Sequence, residues 1–463
     1  MTANRGRFSA VDGAALVVSS VVGAGIFTVP SYVAAIAGAQ PMVIALWVGG
    51  GLLALAGALC YAELATRFPQ GGAEYVYLRE AFGPATGFLS GWTSFIAGFS
   101  GAIAAAAVGF AAHVVGGLPA FQDLAARTFS AGPLAVTFSA TTVVAIALIA
   151  VFTVVSVAGI GASRLATNAL ALAIVGGVVV LVVAGGLARE ASAVPTSTVM
   201  SAGAMAALVP IFFTYSGWNA AAYVAGEFRH PARAIPRALI GGTLIVTALY
   251  VGLNWMLMRA LSPAGLAGSQ TPVASAARAV FGNVGGSLAG LLVLVALASS
   301  VCALVITGPR IYRQMARDGS LPALFAGSTG DTESPKMAAI AQSCWSALLV
   351  LTGTFQQIVT YTGFAILVFS GAAVSAVFVL RRRHGAPTGF AVPGYPLVPA
   401  AFLVSVVLIS AASFRYAPGP SLVGMALIAA GLPVRVLARR RGQGRILPSL
   451  VPPSRTSESR SRP

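Results

Sequence analysis

The chain has 463 residues, of which 57% are apolar and only 8% are charged, whereas soluble domains carry about 25% charged residues. Apolar runs of about 20 residues, enough to cross a bilayer, recur along the sequence and exclude a soluble protein. The net charge of +17 does not indicate nucleic-acid binding, because the arginines lie between these runs and in the C-terminal tail. The 3 cysteines and 3 histidines are scattered, so neither a metal site nor a cofactor is predicted.

The apolar runs predict an all-α integral membrane protein with twelve transmembrane helices. The first run follows Arg5 and Arg7, as in a secretory signal, but no cleavage site follows and we interpret it as a membrane helix. The third and eighth spans are too long for an upright crossing and are expected to tilt. In chain order the spans are 11–36, 41–66, 84–115, 133–157, 165–188, 202–226, 236–259, 286–316, 337–354, 357–380, 397–414 and 419–437.

The basic residues predict the orientation of the chain. With an even number of spans both termini lie on one side, and most of the 28 lysines and arginines then fall in the segments on that side. The positive-inside rule therefore predicts a multi-pass protein of the plasma or inner membrane, with a cytoplasmic N-terminus (1–10) and a basic, disordered cytoplasmic tail (438–463).

Two of the predicted helices contain breaks near the middle of the membrane. Gly23, Ala24, Gly25, Ile26 and Phe27 interrupt the first span, and the segment from Tyr215 through Ser216 and Gly217 to Asn219 interrupts the sixth. Unwound backbone at this depth is tolerated only where it lines a cavity, so the breaks predict a central binding site. The alternative is a packing face of small residues, which membrane helices also use.

The two halves of the chain repeat the same sequence of features. Phe82-Gly83 opens the overlong third span, and Phe281-Gly282 opens the overlong eighth span. Five spans in each half place the halves in opposite orientations, which is the plan of an inverted repeat. The predicted units are a first repeat over 11–188, a second over 202–380, and two extra helices over 397–437.

At these residues the sequence resembles the amino acid–polyamine–organocation superfamily, near its bacterial L-amino-acid (LAT-like) and cationic amino-acid permeases. The motif GAGIF at 23–27 resembles the break in the first helix of that family. Three longer motifs resemble its second and third helices, its sixth helix and the end of its eighth: YAELATRFPQGGAEYVYLREAFGP at 61–84, FTYSGWNAAAYVAGEFRHPARAIPRA at 213–238 and TGPRIYRQMARDGSLP at 307–322.

The resemblance implies a LeuT-like fold with alternating access to a site in the middle of the membrane. Backbone around Gly23, Ala24, Gly25 and Ile26 would hold the α-carboxylate of an amino acid, and carbonyls around Phe213, Tyr215, Ser216 and Gly217 would receive its amino group. Phe213 falls where the family places an aromatic gate, and a core aromatic is the alternative. Ser94 and Phe95 would face the cavity from the third span.

The resemblance leaves the coupling ion open between H⁺ and Na⁺. Many relatives have a lysine in the fifth helix where this chain has Ile174, which puts a lysine-based mechanism in doubt. Ser299 and Ser300 lie where sodium-coupled relatives bind Na⁺, but serines in membrane helices also bond simply to their own backbone.

The positions of the acidic residues predict ion pairs at an inner gate rather than a proton relay within the membrane. Glu63 and Glu227 are expected near the cytoplasmic ends of their spans, as arginine partners that act as inner-gate latches or as static ion pairs. No acid is expected at mid-depth, which disfavours a cationic substrate.

The predicted function is a secondary active permease for a zwitterionic, neutral L-amino acid, and not an enzyme. A cationic amino-acid or polyamine exchanger is the alternative within transporters, and an amino-acid sensor is the alternative of another class. The oligomeric state is left open.

Overall fold

The computed structural model describes residues 8–37, 39–118, 126–131, 134–186, 204–261, 263–327, 334–353, 355–416 and 418–440. Nearly all of the described residues are helical. The predicted N-terminal segment before Phe8 and the tail after Arg440 lie outside the described residues.

Seventeen α-helices and one pair of strands occur in the described ranges. The helices are α1 Ala10–Val21, α2 Ala24–Ala37, α3 Gln40–Arg67, α4 Glu74–Phe82, α5 Pro84–Thr93, α6 Phe99–Gly117, α7 Ala140–Val157, α8 Ile160–Gly186, α9 Ala204–Thr214, α10 Ala220–Tyr223, α11 Pro231–Ala260, α12 Pro263–Ala267, α13 Pro272–Arg317, α14 Lys336–Thr352, α15 Phe355–His384, α16 Leu397–Tyr416 and α17 Pro418–Arg440. The strands are β1 Arg127–Ala131 and β2 Leu134–Phe138. A π-helical turn, Ser94–Gly98, joins α5 to α6.

The lengths and composition of these helices confirm a mostly helical membrane protein. Within the described ranges, eight helices are long and apolar enough to cross a bilayer, and the bent pair α1–α2 makes a ninth. Two further apolar helical segments, Lys336–Thr352 and Ser421–Val436, are shorter. The sixth predicted span, 202–226, is not a single helix, because α9 ends at Thr214.

The first helix break lies between α1 and α2, whose axes differ in direction by 52°. A capping box formed by Ser9 and Asp12 begins α1, and Val22, in an extended conformation, ends it. Val22 and Gly23 are outside the helices, and α2 starts at Ala24. The break therefore exposes the last carbonyls of α1 and the first N–H groups of α2 at the same place.

The second break separates α9 from α10. Residues 215–219 form turns, and Gly217 has a φ of +104°, a left-handed conformation that glycine adopts without strain. The helix resumes only for the four residues of α10 and is followed by the 3₁₀ turn Ala225–Glu227. The sixth span is therefore unwound over a longer stretch than the first.

The third and eighth spans begin in the same way. A short helix, α4, ends at Gly83 with a φ of +95°, and α5 starts immediately after it. In α13 the only internal non-helical residue is Gly282, with a φ of +67°. In both halves a positive-φ glycine after a phenylalanine thus separates a leading segment from the long helix.

The prediction of an all-α chain is wrong between α6 and α7. The fourth span was expected to begin at 133, but the helix begins at Ala140, after a capping box formed by Ser139 and Thr142. β1 and β2 precede it as an antiparallel pair, in which Phe129 is opposite Val136 and Thr128 is opposite Thr137. β-Branched and aromatic residues favour strands, and hydropathy alone does not separate such an apolar strand from a helix.

The centre of the protein is formed by α1, α3, α11 and α13. The helix α11 packs along both α3 and α1, and α13 packs against α6 and α8. Its buried core includes the large side chains of Trp47, Tyr215 and Tyr250. This core surrounds both helix breaks and fixes their positions.

Candidate functional site

A cavity of about 350 Å³ lies where the two helix breaks meet. Its walls come from α1 and α2, the start of α4, the junction of α5 and α6 with the first part of α6, the α9–α10 break, and α13 and α15. Most of the lining is small or apolar, as in sites for small organic ligands. The polar lining side chains are Ser20, Thr28, Glu74, Thr93, Ser94, Thr214, Ser216, Asn219, Tyr223, Ser300 and Thr307.

Eight of the predicted site residues line this cavity. They are Gly23, Ala24, Gly25, Ser94, Phe213, Ser216, Gly217 and Ser300. The other four residues predicted for substrate or cation binding have side chains elsewhere. Ile26 is buried in the core, Ser299 is buried within α13, Phe95 packs against Tyr312, and the Tyr215 hydroxyl donates to the carbonyl of Trp47.

The two breaks are in direct contact, and glycine makes that contact possible. A Cβ added to Gly25 would lie 2.7 Å from Oγ1 of Thr214 and 3.1 Å from its Cα. A Cβ added to Gly217 would lie 2.9 Å from the carbonyl oxygen of Ser20. A Cβ could not fit at either position without a shift of its neighbours, so both glycines allow the backbones to approach this closely.

One tyrosine lies within hydrogen-bonding distance of both broken helices. The hydroxyl of Tyr250, on α11, lies 2.9 Å from the carbonyl oxygen of Val21 and 3.1 Å from that of Thr214. These carbonyls are at the C-terminal ends of α1 and α9, where helices have no partners of their own. Tyr250 therefore shares its one hydrogen between the C-terminal ends of α1 and α9 and links these two ends.

The polarity of the breaks suits a zwitterion. The first N–H groups of α2 start at the cavity and favour an anion such as a carboxylate. On the other side, the Phe213 carbonyl already accepts hydrogen bonds from the backbone N–H and the hydroxyl of Ser216. A bound ammonium group would therefore use other carbonyl or hydroxyl oxygens of the breaks, or share the Phe213 oxygen.

Glu74 is a cavity residue that sequence reasoning missed. It lies at the start of α4, outside the predicted spans, yet its side chain is only 5% exposed and lines the cavity. The expectation of no acid at mid-depth did not anticipate a carboxylate on this cavity wall. The chain turns back at Gly71, Gly72 and Ala73, all with positive φ, and this turn brings Glu74 inward. In the sequence, the adjacent Gly71 and Gly72 are the feature that could have indicated this turn.

The two predicted gate acids form buried ion pairs. Oε1 of Glu63 is 2.8 Å from Nε of Arg381, and its Oε2 accepts the backbone N–H of Val392 at 2.8 Å. Both oxygens of Glu227 are bonded by Arg310, with Nε at 2.9 Å and Nη2 at 3.2 Å. Arg310 lies 83 residues further along the chain, and not in the arginine-rich segment directly after Glu227.

Of the two candidate cation residues, Ser300 lies next to the first break, at Gly23. Ser300 lines the cavity, whereas Ser299 is fully buried and its Oγ has no hydrogen-bond partner among the described residues. Ile174, at the position where many relatives have a lysine, is a fully buried core residue of α8. The described side chains include no group of three or more potential metal ligands.

Comparison with known proteins identifies relatives along almost the whole chain. The profile of the amino acid permease family matches residues 8–436. The serine/threonine exchanger SteT of Bacillus subtilis is 29% identical over 446 residues, which are 92% of this chain and 95% of that protein. The b(0,+)-type amino acid transporter 1 of Mus musculus is 27% identical over 381 residues, 80% of this chain and 75% of that protein. The large neutral amino acids transporter small subunit 2 of Homo sapiens is 27% identical over 448 residues, which are 92% of this chain and 79% of that protein. The matched region contains both breaks and the cavity.

Proposed function

Because the chain belongs to the amino acid permease family of the amino acid–polyamine–organocation superfamily, we propose that it is a secondary active transporter of a zwitterionic L-amino acid. The observation that carries this proposal is the cavity at the junction of two broken helices, with a helix N-terminus and helix C-termini facing one space. Such an arrangement offers hydrogen-bond donors to a carboxylate and acceptors to an ammonium group.

The proposed architecture has twelve membrane-spanning helices, arranged as a LeuT-like inverted repeat of five plus five with two extra helices. The correspondence of the two breaks, and of the positive-φ glycines Gly83 and Gly282, supports the repeat. The distribution of basic residues supports cytoplasmic termini in the plasma or inner membrane.

In the proposed mechanism, backbone at Gly23, Ala24, Gly25 and Ile26 binds the carboxylate, and the α9–α10 break binds the amino group. Phe213 covers the bound molecule. The pairs Glu63–Arg381 and Glu227–Arg310 act as the inner gate, because each joins segments that are distant in sequence. Separating them requires solvation of both charges, which alternating access supplies when the inner side opens.

Exchange is the proposed mode, since the relative SteT is described as a serine/threonine exchanger. Purified protein in liposomes loaded with L-serine is expected to take up labelled L-serine, whereas protein in empty liposomes is not.

The dependence on sodium is measured by running the same assay in Na⁺ and in choline. A sodium requirement lost in Ser300→Ala would support the proposed cation site, and one that persists in Ser299→Ala/Ser300→Ala would reject it. Binding without exchange would instead indicate a sensor.

A second candidate within transporters is a cationic amino-acid exchanger, because Glu74 places a carboxylate on the cavity wall. Competition of labelled L-serine exchange by L-arginine and L-lysine separates the two. Strong competition by the cationic amino acids, with little by neutral ones, would favour this candidate.

Phe213 is expected to set affinity and selectivity. Its ring lines the cavity, so we expect Phe213→Ala to raise the KM for exchange by about five- to tenfold through loss of an aromatic contact. Phe212 is the matched control, because it is buried against Phe402 and does not line the cavity. Phe212→Ala should lower the melting temperature more than it changes KM. Unchanged kinetics in Phe213→Ala would make Phe213 a core aromatic.

A further inference from the structure

The cavity wall contains one buried carboxylate without a counter-charge. Among the described lining residues, Glu74 is the only Asp, Glu, Lys, Arg or His. Buried glutamates normally have a cationic partner, and both Glu63 and Glu227 have an arginine. In the described part of the chain, by contrast, no ion pair within 4.0 Å involves Glu74.

The hydrogen bonds of Glu74 occupy one oxygen and leave the other free. Oε1 accepts from the hydroxyl of Tyr61 at 2.8 Å and from the amide of Asn219 at 2.7 Å. Oε2 is buried and has no partner within the described ranges. Two donors on a single oxygen leave the second oxygen available to carry a hydrogen atom.

The groups that surround Glu74 are neutral. They are phenols and small polar side chains: Tyr61 on α3, Tyr77 on α4, Asn219 and Tyr223 at α10, and Ser370 on α15, which lies near Tyr61. Burial raises the pKa of the Glu74 carboxyl, and the polar side chains around it, Tyr223, Tyr61 and Asn219, offset only part of that rise. The enclosed carboxyl therefore takes up a proton more readily than a hydrated carboxyl does.

The backbone before Glu74 is held in an unfavourable conformation. Gly71, Gly72 and Ala73 have φ values of +78°, +90° and +39°, and Ala73 is the only described non-glycine residue with a positive φ. The Gly72 N–H donates to the carbonyl of Tyr223 on α10. The turn is thus attached to the helix that follows the second break, and it directs Glu74 at the cavity instead of into solvent.

Resting on the transport function proposed above, we propose that Glu74 is a proton-binding site of the transport cycle. One proton from water forms an O–H bond at Oε2 when the carboxyl is enclosed as it is here, which changes its charge from −1 to 0. The proton returns to water when the cavity opens and the carboxylate is hydrated. Asn219, which joins Glu74 to the second break, links this step to the position of that break.

The pH dependence of exchange tests this proposal. With L-serine inside and labelled L-serine outside, the wild-type rate is expected to fall by about tenfold as pH rises from about 6 to about 8, because enclosing a charged Glu74 becomes rate-limiting. Glu74→Gln, which mimics the neutral carboxyl, should vary by less than about twofold over the same range. Glu80→Gln is the matched control on α4, since Glu80 is exposed and paired with Arg79, and it should keep the wild-type profile.

Thermal unfolding gives a test that does not depend on transport. A carboxyl with a raised pKa in the folded state stabilises the fold fully at low pH and loses that contribution as pH rises through the folded pKa. The melting temperature of Glu74→Gln should therefore exceed that of the wild type at about pH 8 by about 2 °C or more, and match it at about pH 5. Tyr61→Phe, which removes a donor to Oε1, should move the wild-type transition to higher pH.

Three results would overturn the proposal. They are a wild-type exchange rate that does not change with pH, a Glu74→Gln profile equal to that of the wild type, and a Glu74→Gln variant that changes only the response to L-lysine or L-arginine. The last result would make Glu74 a substrate contact. Absence of wild-type exchange at every pH would reject the transport function, and the melting curves would still decide whether Glu74 binds a proton.

Discussion

Replacing Gly25 by valine is expected to reduce amino-acid exchange by more than about 100-fold. A Cβ at this position would lie 2.7 Å from Oγ1 and 3.0 Å from Cγ2 of Thr214, and 3.1 Å from its Cα. Because the Cα belongs to the backbone, rotation of the threonine side chain cannot relieve the contact. The α2 N-terminus would have to move away from the second break, which separates the two halves of the proposed binding site. Exchange of labelled L-serine in proteoliposomes measures the effect.

Gly49→Val is the matched control for this variant. Gly49 also lies in an apolar helix, α3, but apart from the adjacent backbone of α3 no atom of the described residues lies within 4 Å of a Cβ added there. It should insert and exchange as the wild type does. Normal exchange by Gly25→Val, at equal amounts of inserted protein, would remove the first break from the site.

Replacing Arg310 by methionine is expected to destabilise the fold by about 3–5 kcal/mol. The side chains of Arg310 and Glu227 are each 2% exposed, so the substitution would leave a buried carboxylate without its bidentate partner. Arg313 lies 4.0 Å from the same carboxylate and can replace only part of the interaction. The effect is measured as a fall in the melting temperature of the detergent-purified protein.

A double variant shows whether the uncompensated charge is the cause. Arg310→Met/Glu227→Met removes both charges and should recover much of the lost stability, because the penalty arises from one charge left alone. Glu80→Gln removes half of a more exposed ion pair and should cost less than about 1 kcal/mol. An Arg310→Met protein as stable as the wild type would show that this pair contributes nothing to the fold.

The helical membrane fold and the positions of both breaks were predictable from the sequence, because the signals are local. Membrane helices follow from runs of apolar residues, and the first break follows from adjacent small residues between Gly23 and Gly25. Hydropathy failed at β2, where Leu134, Val136 and Phe138 are as apolar as a helix but alternate along a strand.

The residues that complete the cavity were not predictable, because they depend on contacts between distant segments. Glu74 precedes α5 in the sequence, and only the turn through Gly71 and Ala73 brings it against Asn219, 145 residues away. The ion-pair partner of Glu227 was equally unpredictable from the sequence, because several arginines lie closer to it along the chain than Arg310 does. Local patterns identify which residues are unusual, whereas the fold decides which of them meet.

The phenol of Tyr250 carries a single hydrogen atom, although two carbonyl oxygens lie within bonding distance of it. In the proposed alternating access, the hydrogen stays with Val21 or with Thr214 when the first and sixth spans separate, and only the weaker of the two contacts breaks. One helix end then keeps its partner while the other becomes accessible to water. Through Tyr250, α11 therefore remains attached to one of the two broken helices throughout the proposed cycle.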